Sequence, residues 1–150
     1  MMSAGMNRGD SVIDFEQLVS KYVGADYAVA MPQARVGIYL SIKALVQPGQ
    51  NVILSPYTIS DVVNMVICAG AVPVFADIER ETCNIDPERV AALINDDTGA
   101  VLITHFYGLA CDVEKINAIC APRGVPVIED AAQAFGTRIG NRLAGTLGDV

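Results

Sequence analysis

Apolar and polar positions alternate along the chain with two different spacings, which predict a series of helices and strands. A first helix is predicted from Ser11, with Asp14 as a capping acid, to Gly24. Its apolar stripe at helical spacing consists of Phe15, Leu18, Val19 and Tyr22. Short apolar runs bounded by turn residues predict five strands, at residues 27–31, 52–54, 72–75, 100–104 and 125–128.

Four further helices are predicted between these strands. Residues 36–46 are nearly all apolar, which predicts a helix buried on every side. A second helix ends near Gly70, Asp86-Pro87 is typical of the start of a third, and Asp112 opens a fourth. Residues 138–142 read as a tight turn. Strands that alternate with helices through short connections indicate an α/β fold with a parallel sheet.

Composition limits the classes of protein to consider. A chain of 150 residues corresponds to one domain or part of one. Its apolar fraction of 52% and mean hydropathy of +0.39 indicate burial against a partner subunit or further polypeptide. No apolar run approaches the roughly 20 residues that span a bilayer. The amino terminus has no apolar core after Arg8, so neither a membrane protein nor a secretory signal is expected.

Charge and cysteine content narrow the classes further. The net charge of −7 argues against a nucleic-acid partner, because such proteins usually carry a basic patch. The four cysteines show neither a CxxC spacing nor a pair of histidines, so we expect no metal site and no disulfide. Reduced cysteines are typical of the cytoplasm.

Polar residues follow four of the predicted strands, at residues 32–35, 55–58, 105–108 and 129–133. Parallel strands bring these loops to one edge of the sheet, where ligands bind in open α/β folds. Asp130 needs a partner there, because an unpaired buried charge is costly. Glu129 and Asp130 are adjacent on a strand and point to opposite faces, so we expect them to have different roles.

The residues alone leave alternatives open at each loop. Residues 33–35 lead into a helix whose amino terminus, with Arg35, suits a phosphate, but a plain turn with an exposed arginine fits equally well. His105 is the only histidine and reads more readily as a structural residue than as a catalyst. The two acids at 129–130 also suit a helix cap. Together these features predict an α/β domain that binds a phosphorylated ligand.

Several segments in order resemble the DegT/StrS family of pyridoxal-phosphate-dependent sugar aminotransferases, which belong to fold type I. The matching segments are YAVA at 27–30, PGQNVILSPYT at 48–58, AGAVPVFADIERETCNID at 69–86, THFYG at 104–108 and VIEDAAQAFGT at 127–137, followed by GTLGD. The resemblance covers residues 14–150. It implies the amino-terminal part of a three-layer α/β/α sandwich with a mostly parallel sheet, in which residues 1–25 form a helical segment and 26–150 an incomplete βα core.

The resemblance also implies site residues, of which Asp130 is the acid that pairs with the cofactor's pyridine nitrogen. Gln133 matches a residue that contacts the ring face or hydroxyl edge. Ala34-Arg35 stands where the family has Gly-Thr at the phosphate, and Ile59 where it has a stacking aromatic ring. Residues implied at the edge of the site are Tyr57, His105 and Tyr107.

The family's covalent lysine follows the GTLGD segment by about ten residues, within a Phe-Ser-Phe run, beyond Val150. We therefore expect no catalytic residue within this chain and no turnover by it alone. The implied function is transfer of an amino group from an amino acid, glutamate in the first instance, to a nucleotide-linked keto-sugar by a homodimer. Alternatives are a split or truncated subunit that needs a partner chain, a sugar dehydratase of the same family, and an unrelated nucleotide-binding module.

Overall fold

The computed structural model describes residues 9–150, with a four-stranded parallel sheet at the centre. The strands are β1 (Asn51–Leu54), β2 (Val72–Phe75), β3 (Thr98–Thr104) and β4 (Val127–Asp130), in the order β2-β1-β3-β4. The helices are α1 (Asp10–Val23), α2 (Ala34–Leu45), α3 (Ser60–Cys68), α4 (Pro87–Leu93) and α5 (Val113–Cys120). A small antiparallel hairpin of β5 (Arg138–Ile139) and β6 (Arg142–Leu143) follows, at the predicted turn.

Helices cover both faces of the sheet and make three layers. Alternate residues of β3 face opposite sides, so Ala100 and Leu102 pack with α2 and α3, whereas Val101 and Ile103 pack with α4 and α5. Each layer of helices therefore has its own apolar core against the sheet. The predicted α/β class and the three-layer architecture are confirmed.

Two of the predicted helix starts have the expected caps. The Asp86 carboxylate accepts the N–H of Glu88 at 2.8 Å, and Pro87 takes the first helical position of α4. Asp112 accepts the N–H of Lys115 at 3.0 Å at the start of α5. Both helices begin where the sequence predicts.

The strand predicted at residues 27–31 is absent. These residues are irregular, and the exposed fraction of the Tyr27 side chain reaches 88%. A strand needs a neighbour for its backbone hydrogen bonds, and within residues 9–150 no strand pairs with this segment. The N–H of Ala30 donates instead to the Glu16 carboxylate at 2.7 Å.

Two helices expose apolar surface. In α2 only Ile38 and Ile42 are buried, so the prediction of burial on every side is wrong for this chain. Helix α1 has no buried residue, and its side chains Phe15 and Leu18 are exposed. No helix within residues 9–150 has the length and apolar character to cross a membrane.

Helix α2 offers a paired test of the core. Ile42 is 1% exposed between the helix and the sheet, whereas Leu40 on the same helix is 44% exposed. We expect Ile42→Ala to lower the free energy of unfolding by about 2–5 kcal/mol, because it leaves a cavity. Leu40→Ala should change it by about 0.5 kcal/mol or less. Urea unfolding followed by circular dichroism measures both, and equal losses would contradict the packing described.

Candidate cofactor-binding site

Asp130 ends β4 at the carboxyl edge of the sheet and lines two adjoining pockets. It continues the face of β4 that carries Ile128, toward α2 and α3. The first pocket is lined by Thr58, Ile59, Thr104, Phe106, Asp130, Ala132 and Gln133. The second includes Ala34, Gly37, Ile38 and Ser41 of α2 together with Ile128 and Asp130. The structure thus brings four of the predicted site residues together, namely Ala34, Ile59, Asp130 and Gln133.

The Asp130 carboxylate is oriented by the backbone two residues further along the chain. Its Oδ1 accepts the N–H of Ala132 at 3.1 Å, and its carbonyl oxygen accepts the N–H of His105 at 3.1 Å. Within residues 9–150 no lysine, arginine or histidine forms an ion pair with it. The carboxylate therefore has acceptor capacity left for a cationic donor that enters the pocket.

Gln133 holds a strained backbone beside the first pocket. Its Oε1 accepts the N–H of Tyr107 at 2.8 Å, and Tyr107 has a φ of 49°, in the left-handed region that few side chains adopt. The next residue, Gly108, is held through its carbonyl by the Thr137 hydroxyl at 2.9 Å. With its oxygen engaged by Tyr107, the Gln133 side chain keeps both N–H groups of its amide for a ligand.

Three aromatic rings form a continuous group at the same edge. The ring centroids of Tyr57 and Phe106 are 4.4 Å apart, and those of Phe106 and Tyr107 are 4.3 Å apart. Phe106 reaches the first pocket, whereas Tyr57 and Tyr107 are exposed beside it. Two of the three residues implied at the edge of the site thus lie on the exposed surface there.

Arg35, at the start of α2, is held by two partners. Its Nε donates to Gln33 Oε1 at 2.8 Å, and its Nη1 forms an ion pair with Asp61 in the first turn of α3. The side chain of Gln33 does not cap α2, and of the first-turn N–H groups that of Val36 donates to the Gln33 carbonyl at 3.0 Å, which leaves those of Ala34 and Arg35 for an anion. Sequence reasoning missed Asp61, since nothing local pairs residues 26 positions apart.

His105 lies beneath the edge of the sheet and is fully buried. Its Nδ1 accepts the N–H of Cys111 at 3.0 Å, so the ring proton is on Nε2, which donates to Glu129 Oε2 at 2.9 Å. Both ring nitrogens are occupied, which supports the structural interpretation of this residue. A ligand at the edge of the site has no access to it.

Glu129 binds the turn that precedes the end of the chain. Besides His105, its carboxylate accepts the N–H groups of Gly145, Leu147 and Gly148. A Cβ at Gly148 would lie 2.7 Å from the carbonyl oxygen of Val127, so this turn requires glycine there. The sequence signal was present in the glycines of GTLGD, but their partner 16 to 19 residues away was not predictable.

The pKa of Glu129 reflects these bonds. Burial raises the pKa of its carboxyl, but hydrogen bonds from His105 and from the three backbone N–H groups outweigh burial and lower it from its ordinary value of 4.5. For the neighbouring thiol of Cys111, burial and the Glu129 charge raise the pKa to about 12. Glu129 is therefore ionised at neutral pH, and Cys111 is a neutral thiol.

A family model agrees with the residues described. The model of the DegT/DnrJ/EryC1/StrS aminotransferase family matches residues 1–150. The chain is 40% identical over 148 residues to the spore coat polysaccharide biosynthesis protein SpsC of Bacillus subtilis, covering 98% of this chain and 38% of SpsC. It is 35% identical over 145 residues to GDP-perosamine synthase of Vibrio cholerae, covering 96% of this chain and 40% of the synthase.

Solved structures share the fold. An aminotransferase from Psychrobacter cryohalolentis superposes with a TM-score of 0.90 at 33% identity, over 93% of this chain and 36% of that one. DesI, solved in the presence of its TDP-sugar product, gives 0.87 at 34% identity, over 95% and 36%. NtdA of Bacillus subtilis, with bound cofactor PMP, gives 0.84 at 32% identity, over 87% and 30%. The chain thus spans about two fifths or less of these relatives.

The hydrogen bonds to Glu129 predict a dependence of stability on pH. Because its pKa is lowered in the folded state, its ionised form stabilises the fold above the ordinary pKa of 4.5 that the unfolded chain has. That stability is lost as the pH falls through the lower folded pKa. Urea unfolding between pH 7 and pH 3 should show the parent weakening on acidification and Glu129→Gln, already weaker at pH 7, weakening less. Glu114→Gln, an exposed control, should follow the parent. A parent-like acid dependence in Glu129→Gln would contradict the assignment.

Proposed function

Because the chain belongs to the DegT/DnrJ/EryC1/StrS aminotransferase family, we propose that it forms the cofactor-binding part of a pyridoxal-phosphate enzyme that aminates nucleotide-linked sugars. One observation carries the proposal: the Asp130 carboxylate lies at the carboxyl edge of the sheet, oriented and without an ion pair among the described residues. A ligand with a cationic ring nitrogen would donate a charge-assisted hydrogen bond to this half-buried carboxylate.

The donor set fits pyridoxal phosphate. When bound, this cofactor supplies a protonated pyridine ring that withdraws electrons from the substrate carbon. Asp130 accepts the hydrogen bond of the ring N–H and keeps its proton in place, because an adjacent negative charge favours the cationic form. Gln133 would contact the ring face or its hydroxyl edge, and Ile59, which lines the same pocket, would take the place of the family's stacking aromatic side chain.

The start of α2 takes the phosphate group in this proposal. First-turn N–H groups beside Ala34 donate to phosphate oxygens, and the helix dipole favours the negative charge. Arg35 adds a cation close to this position, although it also forms an ion pair with Asp61. This arrangement replaces the Gly-Thr pair of the family with a charged contact.

The amino acceptor that we propose rests on what two of the relatives make or bind. GDP-perosamine synthase and the TDP-sugar product of DesI support a nucleotide-linked keto-sugar as amino acceptor. An amino acid, glutamate in the first instance, is the proposed donor. The exposed apolar side chains of α1 support a second copy of the chain as partner in a homodimer. The four free cysteines are consistent with a cytoplasmic enzyme.

Substitution of Asp130 tests the cofactor assignment. Pyridoxamine phosphate is the suitable probe, because it keeps the pyridine nitrogen and the phosphate but has no aldehyde to react with surface lysines. We expect Asp130→Asn to weaken its binding about tenfold or more, since a hydrogen bond to a charged group contributes about 1.5–3 kcal/mol. Equilibrium dialysis measures the dissociation constant. Asp96→Asn, at an exposed turn, should bind as the parent does. Parent-like binding by Asp130→Asn would overturn the assignment.

Substitution of Arg35 tests the phosphate position separately. We expect Arg35→Ala to weaken pyridoxamine phosphate about threefold to tenfold while leaving pyridoxamine binding unchanged, because only the phosphorylated ligand reaches the arginine. The ratio of the two dissociation constants isolates the phosphate contact. Arg123→Ala removes an exposed arginine elsewhere and should leave the ratio unchanged. An unchanged ratio in Arg35→Ala would place the phosphate elsewhere.

A further inference from the structure

We propose that Glu129 and His105 are positioning residues for Asp130, acting through the turn at residues 145–148. This inference rests on the proposed function, in which Asp130 meets the ring nitrogen. Glu129 lies along the second pocket, but its side chain and that of His105 are 1% and 0% exposed and pair with each other. Their effect on a ligand must therefore pass through the backbone around Asp130.

Glu129 is the centre at which this backbone is held. Its Oε2 accepts from His105 Nε2 and from the N–H of Gly145, and its Oε1 accepts from the N–H groups of Leu147 and Gly148. Four donors from two separate segments thus converge on one carboxylate. Such a charge-assisted cluster resists rotation of the side chain and hence of the strand residue that carries it.

The turn contacts the chain on both sides of Asp130. A Cβ at Gly145 would lie 3.1 Å from the Cβ of Ala131, the residue after Asp130. A Cβ at Gly148 would lie 3.1 Å from the Cγ of Glu129, the residue before it. Residues 129 and 131 are therefore both packed against the same turn, which leaves Asp130 little freedom to move along or away from β4.

The geometry of a strand sets the directions in which the Glu129 and Asp130 side chains point. Neighbouring strand residues point to opposite faces, so Glu129 lies toward α5 and the turn while Asp130 lies toward α2. Any tilt of the peptide plane at Glu129 swings the Asp130 carboxylate within the pocket. β4 pairs with β3 on one side. On its other edge the N–H of Glu129 donates to the carbonyl of Val150 at 2.7 Å and the N–H of Asp149 donates to that of Val127 at 2.8 Å, so the segment that continues from the turn also holds β4.

His105 donates a hydrogen bond to one of the two Glu129 oxygens. Because Nδ1 accepts the N–H of Cys111, Nε2 carries the proton and donates to Glu129 Oε2. Two substitutions separate these contacts. His105→Gln places an amide N–H near the position of Nε2 and keeps the donor to Glu129, whereas His105→Asn keeps the acceptor for Cys111 and loses that donor.

The test compares pyridoxamine phosphate binding by Glu129→Gln, His105→Asn, His105→Gln and the exposed control Glu114→Gln in the 150-residue chain. Circular dichroism first establishes that each variant is folded. Substituting a residue that orients a metal-binding side chain from behind typically lowers affinity or activity tenfold or more. We take the same factor as the guide here. We therefore expect Glu129→Gln and His105→Asn to weaken binding about tenfold, with His105→Gln close to the parent.

Two further readouts separate positioning from general stability. The absorbance of bound pyridoxamine phosphate, titrated with pH, gives the pH at which the ring nitrogen loses its proton. In Glu129→Gln and His105→Asn this pH should fall toward that of the free ligand, because Asp130 is displaced from the ring. Amide hydrogen exchange at Gly145, Leu147 and Gly148 should accelerate in the same two variants and not in the control.

Each outcome decides the proposal. Folded Glu129→Gln and His105→Asn with parent-like affinity and ring titration would overturn it, while loss of binding in Asp130→Asn would still uphold the proposed function. Parent-like binding by Asp130→Asn would overturn both. If Glu129→Gln does not fold, the two His105 variants decide, and equal weakening in both would show that the bond to Glu129 is not the cause.

Discussion

Glu129 keeps a negative charge out of water at the end of β4, and the charge is stable there because four donors surround it. Removal of any donor would leave a buried charge with fewer hydrogen bonds. The residues that supply the donors are therefore held in fixed positions. These residues come from the loop after β3 and from the turn at 145–148. One carboxylate thereby joins the carboxyl ends of two strands to the last described segment of the chain.

This constraint separates two roles that the sequence places side by side. The strand directs Glu129 toward the α5 side, where it meets His105 and backbone N–H groups, and directs Asp130 toward α2, where two pockets meet. Packing and ligand binding are thus assigned to opposite faces of the same strand. On the ligand face the half-buried Asp130 carboxylate has no ion pair among residues 9–150, while the contacts of the other face hold its backbone in place.

Local patterns predicted the fold well where neighbouring residues decide it. The caps at Asp86 and Asp112 need only residues two or three positions away, and the strands of the sheet need only their own apolar runs. The strand at residues 27–31 and the burial of α2 on every side were predicted wrongly, because apolar character indicates burial without saying what provides it. The pairing of Arg35 with Asp61, like the partners of Glu129, joins residues distant in sequence, so no local spacing could predict it.

The two ends of the proposed cofactor site depend on different interactions, a buried hydrogen-bond network at one end and an exposed ion pair at the other. At the nitrogen end, Asp130 rests on a buried network that solvent and salt reach poorly. At the phosphate end, the side chains of Arg35 and Asp61 are 44% and 40% exposed, and an exposed ion pair contributes at most about 1 kcal/mol. Of the two departures that the family resemblance implies, Ala34-Arg35 falls at this weaker end, where a changed contact costs the fold little, whereas Ile59 lines the pocket of Asp130. The nitrogen end keeps its acid and the packing beneath it, so orientation of the ring depends on β4, while the strength of phosphate binding is free to vary with residues at the starts of α2 and α3.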